Sequence, residues 1–319
     1  MTNRATLAEK LLAAATALAV MAAGTMAMAA DFPTKPITVI VAYGAGGGTD
    51  ATVRTLAEPV SKALGQPILV QNKPGAGGGV AATYVKNQPA DGYTLIATGS
   101  LTYSFEPQVL KAQYAHTDFN HVAVVSQFQE GFFTHPSRPY KTMKDVIALA
   151  KKENRPIKYA SLYQLDRKIL GYVAKKEGVK IIPVPTKGGS GAVKAVLGNQ
   201  VDFGVSGGSF GPHAANGAVR VIGAMTAQSM PRFPDIAGMH ANGWQVGSEN
   251  FLIISAPKGT PGDVVAKLSA AFQKAAKSDA VQAIVKKRYM KDIFIGADKV
   301  NQAVADQFSR NKQMLEALN

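Results

Sequence analysis

The chain has 319 residues, a formal net charge of +14 and no cysteine. The lack of cysteine excludes a disulfide framework, a thiolate metal site and a cysteine nucleophile. Its basic residues are scattered rather than blocked, and no aromatic-basic motif accompanies them, so the charge suits small anions or a membrane surface better than nucleic acid.

Residues 1–29 read as a signal peptide. Arg4 and Lys10 supply the basic start, Leu11 to Met21 the apolar stretch, and Ala27-Met28-Ala29 the small-x-small cleavage site. Removing Arg4, Glu9 and Lys10 takes the net charge from +14 to +13. The remaining 290 or so residues are enough for two modest domains with a cleft between them. The expected location is the periplasm.

After an extended lead with Pro33 and Pro36, Ile37 to Ala42 reads as a buried strand. Tyr43-Gly44-Ala45-Gly46-Gly47-Gly48-Thr49-Asp50 follows. Val53, Leu56, Val60 and Leu64 then recur at helical spacing, and Gly65-Gln66-Pro67 ends that helix. Glycines uncover backbone N–H groups, and a helix start adds free donors and partial positive charge, so this loop suits an anion. The pentapeptide recurs at Gly75-Ala76-Gly77-Gly78-Gly79, after strand Ile68 to Val70 and before helix Val80 to Lys86. Strand Tyr93 to Ala97 ends at Gly99-Ser100. This β-α-β-α-β alternation predicts a parallel sheet with ligand at the carboxyl ends of its strands. Tyr43 and Ser100 stand at those ends. Asp50 is expected to cap its helix, since a bare carboxylate would repel an anion.

His121 to Val125 is a further strand, and Phe132 to Thr134 leads outward into a second α/β unit. That unit has helix 143–152, strand 158–161, helix 165–177, strand 181–184, a glycine loop at 186–191, helix 192–197 and strands 201–205 and 219–224. Lys187, Gly188, Ser206 and Ser209 are candidate ligand contacts, because they sit at strand ends of this unit. Phe251 to Ile254 returns to the first unit, and helices 263–274, 279–288 and 297–318 complete it. The domains expected are 30–131 with 250–319, and 132–249.

Several of these motifs in order resemble one family. They are Gly46-Gly47-Gly48-Thr49-Asp50, Asn72-Lys73-Pro74-Gly75-Ala76-Gly77-Gly78, Asp91-Gly92-Tyr93-Thr94-Leu95, Val184-Pro185-Thr186-Lys187-Gly188, Gly198-Asn199-Gln200-Val201-Asp202 and Ala256-Pro257-Lys258-Gly259-Thr260-Pro261. Together they are similar to the extracytoplasmic solute receptors of tripartite tricarboxylate transporters, the Bug proteins. The resemblance implies an α/β, two-domain periplasmic binding fold of the type II kind, with each domain a sheet flanked by helices. It implies a small organic acid as ligand and a membrane permease as partner. A monomer without cofactor or enzymatic activity is expected, and the five scattered histidines, with no HExxH or paired-carboxylate motif, point to no metal site. It also implies that backbone amides hold one carboxylate, at Ala45, Gly46, Gly47 and Thr49 in the first loop and Gly75, Ala76 and Gly77 in the second. The chain departs from the family at Ser161-Leu162-Tyr163-Gln164-Leu165-Asp166-Arg167, where Ser-Pro-Gly-x-Gly-Ser/Thr is usual. Ser161 and Gln164 remain candidate contacts there, and Asp166 is expected to cap the next helix.

Two other readings compete. Gly207-Gly208-Ser209-Phe210-Gly211 fits a serine-hydrolase elbow, with Asp235 and His240 following in chain order. A receptor that feeds a sensor kinase rather than a permease would share the same site. A dinucleotide-binding fingerprint fails, because Thr49 stands where its third glycine belongs and Gln71-Asn72 stand where its acid belongs.

Overall fold

The computed structural model describes residues 32–318, so the expected signal peptide lies outside the described residues. Two five-stranded sheets form the frame. The first is ordered β2-β1-β3-β10-β4, with β1 Ile37–Val41, β2 Ile68–Asn72, β3 Thr94–Gly99, β4 Phe119–Phe128 and β10 Asn250–Pro257. The second is ordered β7-β6-β8-β5-β9, with β5 Gly131–Thr134, β6 Ile157–Ser161, β7 Ile181–Pro185, β8 Phe203–Ser206 and β9 Arg220–Ala224.

Alternation along β1 explains the layering. Ile37, Val39 and Val41 enter one core, while Ile40 and Ala42 enter another on the opposite face. The second sheet repeats this, with Phe132 and Tyr159 on one side and Phe133 and Ala160 on the other. Both sheets are therefore covered by helices on both faces, as an α/β fold requires. Helix α1 (Gly48–Leu64) buries Val53, Leu56, Val60 and Leu64 against β1, and it stops where Gly65 takes a φ of 72°. It begins at Gly48, ahead of Val53, the first residue of its apolar period.

The parallel-sheet expectation holds for β1, β2 and β3. β10 returns to this sheet, as the 251–254 run predicts, and runs antiparallel between β3 and β4. β10 arrives from the second sheet through the long segment 225–249, not through a βαβ crossover, so nothing imposes a parallel direction. β5 likewise runs antiparallel to both of its neighbours. The sheets are mixed.

Between β3 and β4 lie two short helices that the apolar pattern does not announce, α3 (Leu101–Ser104) and α4 (Glu106–Val109), after α2 (Gly79–Lys86). Leu101 and Phe105 belong to a core shared with the second sheet and Trp244. In the second unit α5 (Met143–Glu153), α6 (Gln164–Glu177), α7 (Gly189–Leu197) and α8 (Gly211–Ala215) flank the strands. After β10 come α9 (Gly262–Ala276), α10 (Asp279–Lys287) and α11 (Ala297–Leu318). Helix α11 is about 33 Å long at 1.5 Å per residue. Its Val300 and Val304 pack with the first sheet, and Met314, Leu315 and Leu318 pack with the second. Between these ends, buried Gln307 and Asn311 both bond to Ser104, and Gln307 also reaches the Glu249 carbonyl at 2.7 Å. Among the described residues, no helix is long and apolar enough to cross a membrane.

The second unit contains one dense polar anchor. Asp202 is 4% exposed and accepts from Tyr140 at 2.8 Å, from Arg155 at 3.0 and 3.1 Å, and from the Lys158 amide at 2.8 Å. Burial alone would raise its pKa, but these donors outweigh burial and hold it below the ordinary aspartate value. Asp202→Asn should cost about 3 kcal/mol at neutral pH, seen as a lower chemical-denaturation midpoint. Because the folded pKa is depressed, the wild-type advantage is complete above about pH 4 and shrinks as pH falls below it.

Candidate functional site

The first glycine loop is held from behind. Asp50 is 3% exposed and lies in the first turn of α1. Its Oδ2 accepts from the Gly46 amide at 2.8 Å, and its Oδ1 accepts from Arg54 at 3.0 Å and Asn72 at 2.8 Å. Asn72 also donates to the Tyr43 carbonyl at 3.0 Å. The carboxylate thus ties the loop to the end of β2, and its charge is matched by Arg54. The start of α1 is left to face the second sheet. There the Gly48 amide donates to the Ser209 hydroxyl at 3.1 Å, and the Gly44 amide donates to the Lys187 carbonyl at 3.3 Å.

The second glycine loop is bent by four successive positive φ angles, from Gly75 to Gly78. A side chain at Gly77 would place its Cβ 2.7 Å from the Glu106 carboxyl carbon, and one at Gly78 would lie 2.5 Å from Thr102 Oγ1. Thr102 donates to the Gly77 carbonyl at 2.9 Å. The loop is therefore seated directly on α3 and α4.

Two cavities lie between the sheets. One, of about 40 Å³, is lined by Tyr43, Gly47, Gly48 and Thr49 on one side and by Leu162, Tyr163, Gly189, Gly207 and Ser209 on the other, with Phe128, Glu130 and Asn250 also in its wall. The other, of about 290 Å³, brings Gly75, Ala76, Gly77 and Gly78 opposite Leu162, Pro185, Thr186, Lys187 and Gly188. Tyr43 and Leu162 line both. The Tyr43 hydroxyl is fixed by the Gly99 amide at 3.0 Å and by Thr98 at 3.3 Å, while a Cβ on Gly188 would touch Tyr43 Cβ at 3.4 Å.

The structure brings Tyr43, Gly47, Thr49 and Ser209 to the smaller cavity and Tyr43, Gly75, Ala76, Gly77, Lys187 and Gly188 to the larger one. Other candidates stand elsewhere. Ala45 and Gly46 are exposed, and the Gly46 amide is committed to Asp50. Ser100 accepts from the Phe251 amide and orients Asn250, which does line the smaller cavity. Ser161 donates to Asp166 at 2.7 Å, and Ser206 accepts from the Phe210 amide at 3.3 Å, so both hydroxyls face inward. The Gln164 amide donates to Glu106 at 2.8 Å, across the interface. Asp166 accepts from the Leu162 and Tyr163 amides at the start of α6, and burial pushes it up to about 6.

The residues that sequence reasoning missed are Glu106, Glu130 and Asn250. Burial pushes Glu106 up to about 7 against the hydrogen bond from Gln164, with Asp166 adding to the rise and Arg167 opposing it. Burial likewise pushes Glu130 up to about 7. The one signal for Glu130 was a lone acid inside the apolar stretch from Val122 to Phe133.

Ser209 gives the hydrolase reading no support. Its hydroxyl is engaged by Gly48, and Asp235 and His240 are exposed. Among the described residues, no group of three or more His, Cys, Asp or Glu side chains is placed to share a metal ion.

Comparison with known proteins decides the family. The family model described as Tripartite tricarboxylate transporter family receptor, TctC, matches residues 52–319. The chain belongs to this receptor family. A UPF0065 protein from the gbd 5' region of Cupriavidus necator is 31% identical over 309 residues, covering 96% of this chain and 94% of that one. The BugT protein of Bordetella pertussis is 26% identical, covering 88% of each chain. Among solved structures, the periplasmic binding protein BugD aligns with a TM-score of 0.82 at 25% identity, covering 90% of this chain and 98% of that one. MatC from Rhodopseudomonas palustris, solved with bound malate, aligns with a TM-score of 0.78 at 25% identity, covering 89% of this chain and all of that one. The receptor fold is thus that of periplasmic binding proteins.

Glu106 has a raised folded pKa, so the folded chain binds a proton that the unfolded chain releases between about pH 4.5 and pH 7. Its contribution is complete below that window and is lost as pH rises through it. Melting temperature should therefore fall between about pH 4.5 and pH 7, and Glu106→Gln should flatten that fall in thermal scans by circular dichroism.

Proposed function

We propose that this receptor is exported to the periplasm after cleavage near Ala29 and captures a small organic acid there for a tripartite transporter. The lobes 30–131 with 250–319, and 132–249, close on the ligand, and the closed surface is read by the membrane permease. The protein works as a monomer, without catalysis or cofactor.

The observation that carries this reading is the smaller cavity at the start of α1, where Gly47, Gly48 and Thr49 face groups from the second sheet. A helix N-terminus offers unpaired N–H donors and partial positive charge without a mobile countercharge. A carboxylate held this way avoids desolvating a basic partner as well as itself. Lys187, exposed at the rim of the larger cavity, suits a second carboxylate on a longer ligand. Malate in MatC is an acid of this class. The surplus of basic residues helps gather anions from solution.

The first test is a thermal-shift screen of the mature protein against aliphatic, aromatic and amino carboxylic acids. A ligand at 100 times its dissociation constant adds about 2.7 kcal/mol, which reads as a clear rise in melting temperature. Gly47→Val is the matching variant. Gly47 has φ −71° and ψ 174°, a conformation open to valine, and a Cβ there would stand 3.7 Å from Ser209 Oγ in the cavity wall and 3.2 Å from the Gly44 carbonyl of its own loop. The expected outcome is at least a tenfold loss of affinity by calorimetry with an unchanged circular dichroism spectrum. Full affinity in the variant would exclude the first loop from binding.

A further inference from the structure

Helix α10 ends in a way that its own backbone does not favour. The Tyr289 amide donates to the Lys286 carbonyl at 3.1 Å, the Met290 amide donates to the Val285 carbonyl at 3.0 Å, and Tyr289 takes a φ of 54°. In this kind of helix ending the left-handed residue is ordinarily glycine, as Gly65 is after α1 and Gly178 after α6. A left-handed tyrosine is strained and persists only where its surroundings hold it.

What holds it lies on the second sheet. The Tyr289 ring stands 5.2 Å from the Phe233 ring at 80° and 6.1 Å from the Phe210 ring at 62°, and the Arg232 guanidinium carbon is 5.6 Å from its centroid. Phe210 lies in a core of the second sheet, and Phe233 and Tyr289 pack against that core. The next residue, Met290, is buried in a core of the first sheet, and its sulfur accepts from Thr52 of α1 at 3.7 Å. Two neighbouring side chains thus enter the cores of two different sheets.

The glycine-rich loop 207–211 lies where they meet. A Cβ on Gly208 would stand 3.0 Å from the Arg288 carbonyl, and one on Gly211 would stand 2.9 Å from the Lys287 carbonyl. A Cβ on Gly48 would stand 3.5 Å from the Gly208 carbonyl carbon. The glycines therefore let the loop touch both the end of α10 and the start of α1. Ser209 stands in the wall of the smaller cavity and accepts from the Gly48 amide, while Phe210 forms part of the socket around Tyr289. Three of the five loop residues are glycine, so the loop cannot fix its own aim.

We propose that Tyr289 is a positioning residue for the binding site: its ring, seated against Phe210 and Phe233, pins loop 207–211 to the start of α1 and so fixes how far the second sheet closes over that site. Tyr289 lines neither cavity and acts only through the loop. The assignment rests on capture of an acid at the start of α1, and it adds the residue that aligns the opposite wall.

A merely structural tyrosine would fill space without setting how the two units meet, and distance measurements separate the two roles. The chain has no cysteine, so spin labels can be attached at Lys62→Cys on α1 and Lys194→Cys on α7 alone, both at exposed positions. Double electron–electron resonance on the mature protein then reads the separation of the units. Tyr289→Gly suits the left-handed backbone and removes only the ring, so circular dichroism should be unchanged while a second, longer distance population appears. Tyr289→Phe keeps the ring and should restore the original distribution. Malate and the other acids of the thermal-shift screen are the probes of affinity. An acid that binds the parent protein should bind Tyr289→Gly more weakly in proportion to the lost short-distance population, about tenfold if a tenth of it remains. Unchanged distances in Tyr289→Gly overturn the assignment, as does a Tyr289→Phe protein that behaves like Tyr289→Gly. Altered distances with full affinity also overturn it, and the receptor reading then stands. If no acid of the screen binds the parent protein, the carboxylate reading fails and the assignment fails with it. Should Tyr289→Gly not fold, Phe233→Leu opens the socket from the second sheet, and unchanged distances there overturn the assignment.

Discussion

The site depends on one constraint: the first turn of α1 must be held open toward the second sheet. A glycine-rich loop has many conformations and would not hold that aim unaided. Asp50 removes the freedom by reaching back to the Gly46 amide, and Asn72 and Arg54 fix Asp50 in turn. The same carboxylate would repel a ligand if it faced the cavity. It instead turns its charge toward Arg54, behind the loop, so this buried carboxylate serves as the loop's scaffold. Tyr43 completes the arrangement, with its hydroxyl bonded at the end of β3 and its ring beside Gly188 in both cavity walls.

Charge is divided by depth. Lysines and arginines lie mostly at the surface, where solvent screens them and where they act at range on anions. The three buried acids Glu106, Glu130 and Asp166 lie between the sheets, where desolvation dominates and raises all three pKa values. Net charge therefore describes the approach of a ligand and says little about the surface it finally meets. Only the burial of particular side chains decides that.

Local patterns made much of the fold readable. The strand-loop-helix repeat announced β1, β2, β3 and both glycine loops, because short-range periodicity and glycine placement settle those elements. The capping role of Asp166 was readable for the same reason. Three features were not. The short helices at 101–109 have too few residues for a period to show, and Leu101 and Phe105 look outward only until the second core is assembled against them. The antiparallel run of β10 depends on where the chain re-enters the first sheet. Glu106, Glu130 and Asn250 are far apart in sequence and meet the cavities only through chain crossings, so no motif could link them. Ser161 and Ser206 show the converse: strand-end serines look available in sequence, but nearby carboxylate and amide groups had already claimed them.

The two units are joined differently on their two sides. On one side of the molecule α11 packs into both cores, and Ser104, Gln307 and Asn311 form a buried polar seam along it. On the cavity side, direct hydrogen bonds between the units include Gly44 to Lys187, Gly48 to Ser209 and Gln164 to Glu106. At about 1 kcal/mol each these are worth of order 3 kcal/mol together. A ligand can shift a conformational equilibrium only by its differential affinity for the two states, and a few kcal/mol lies well within a small acid's reach. Two of these contacts use amides of the first loop, the group that a carboxylate held as proposed would also address, so such a ligand would have to replace them and make good their loss.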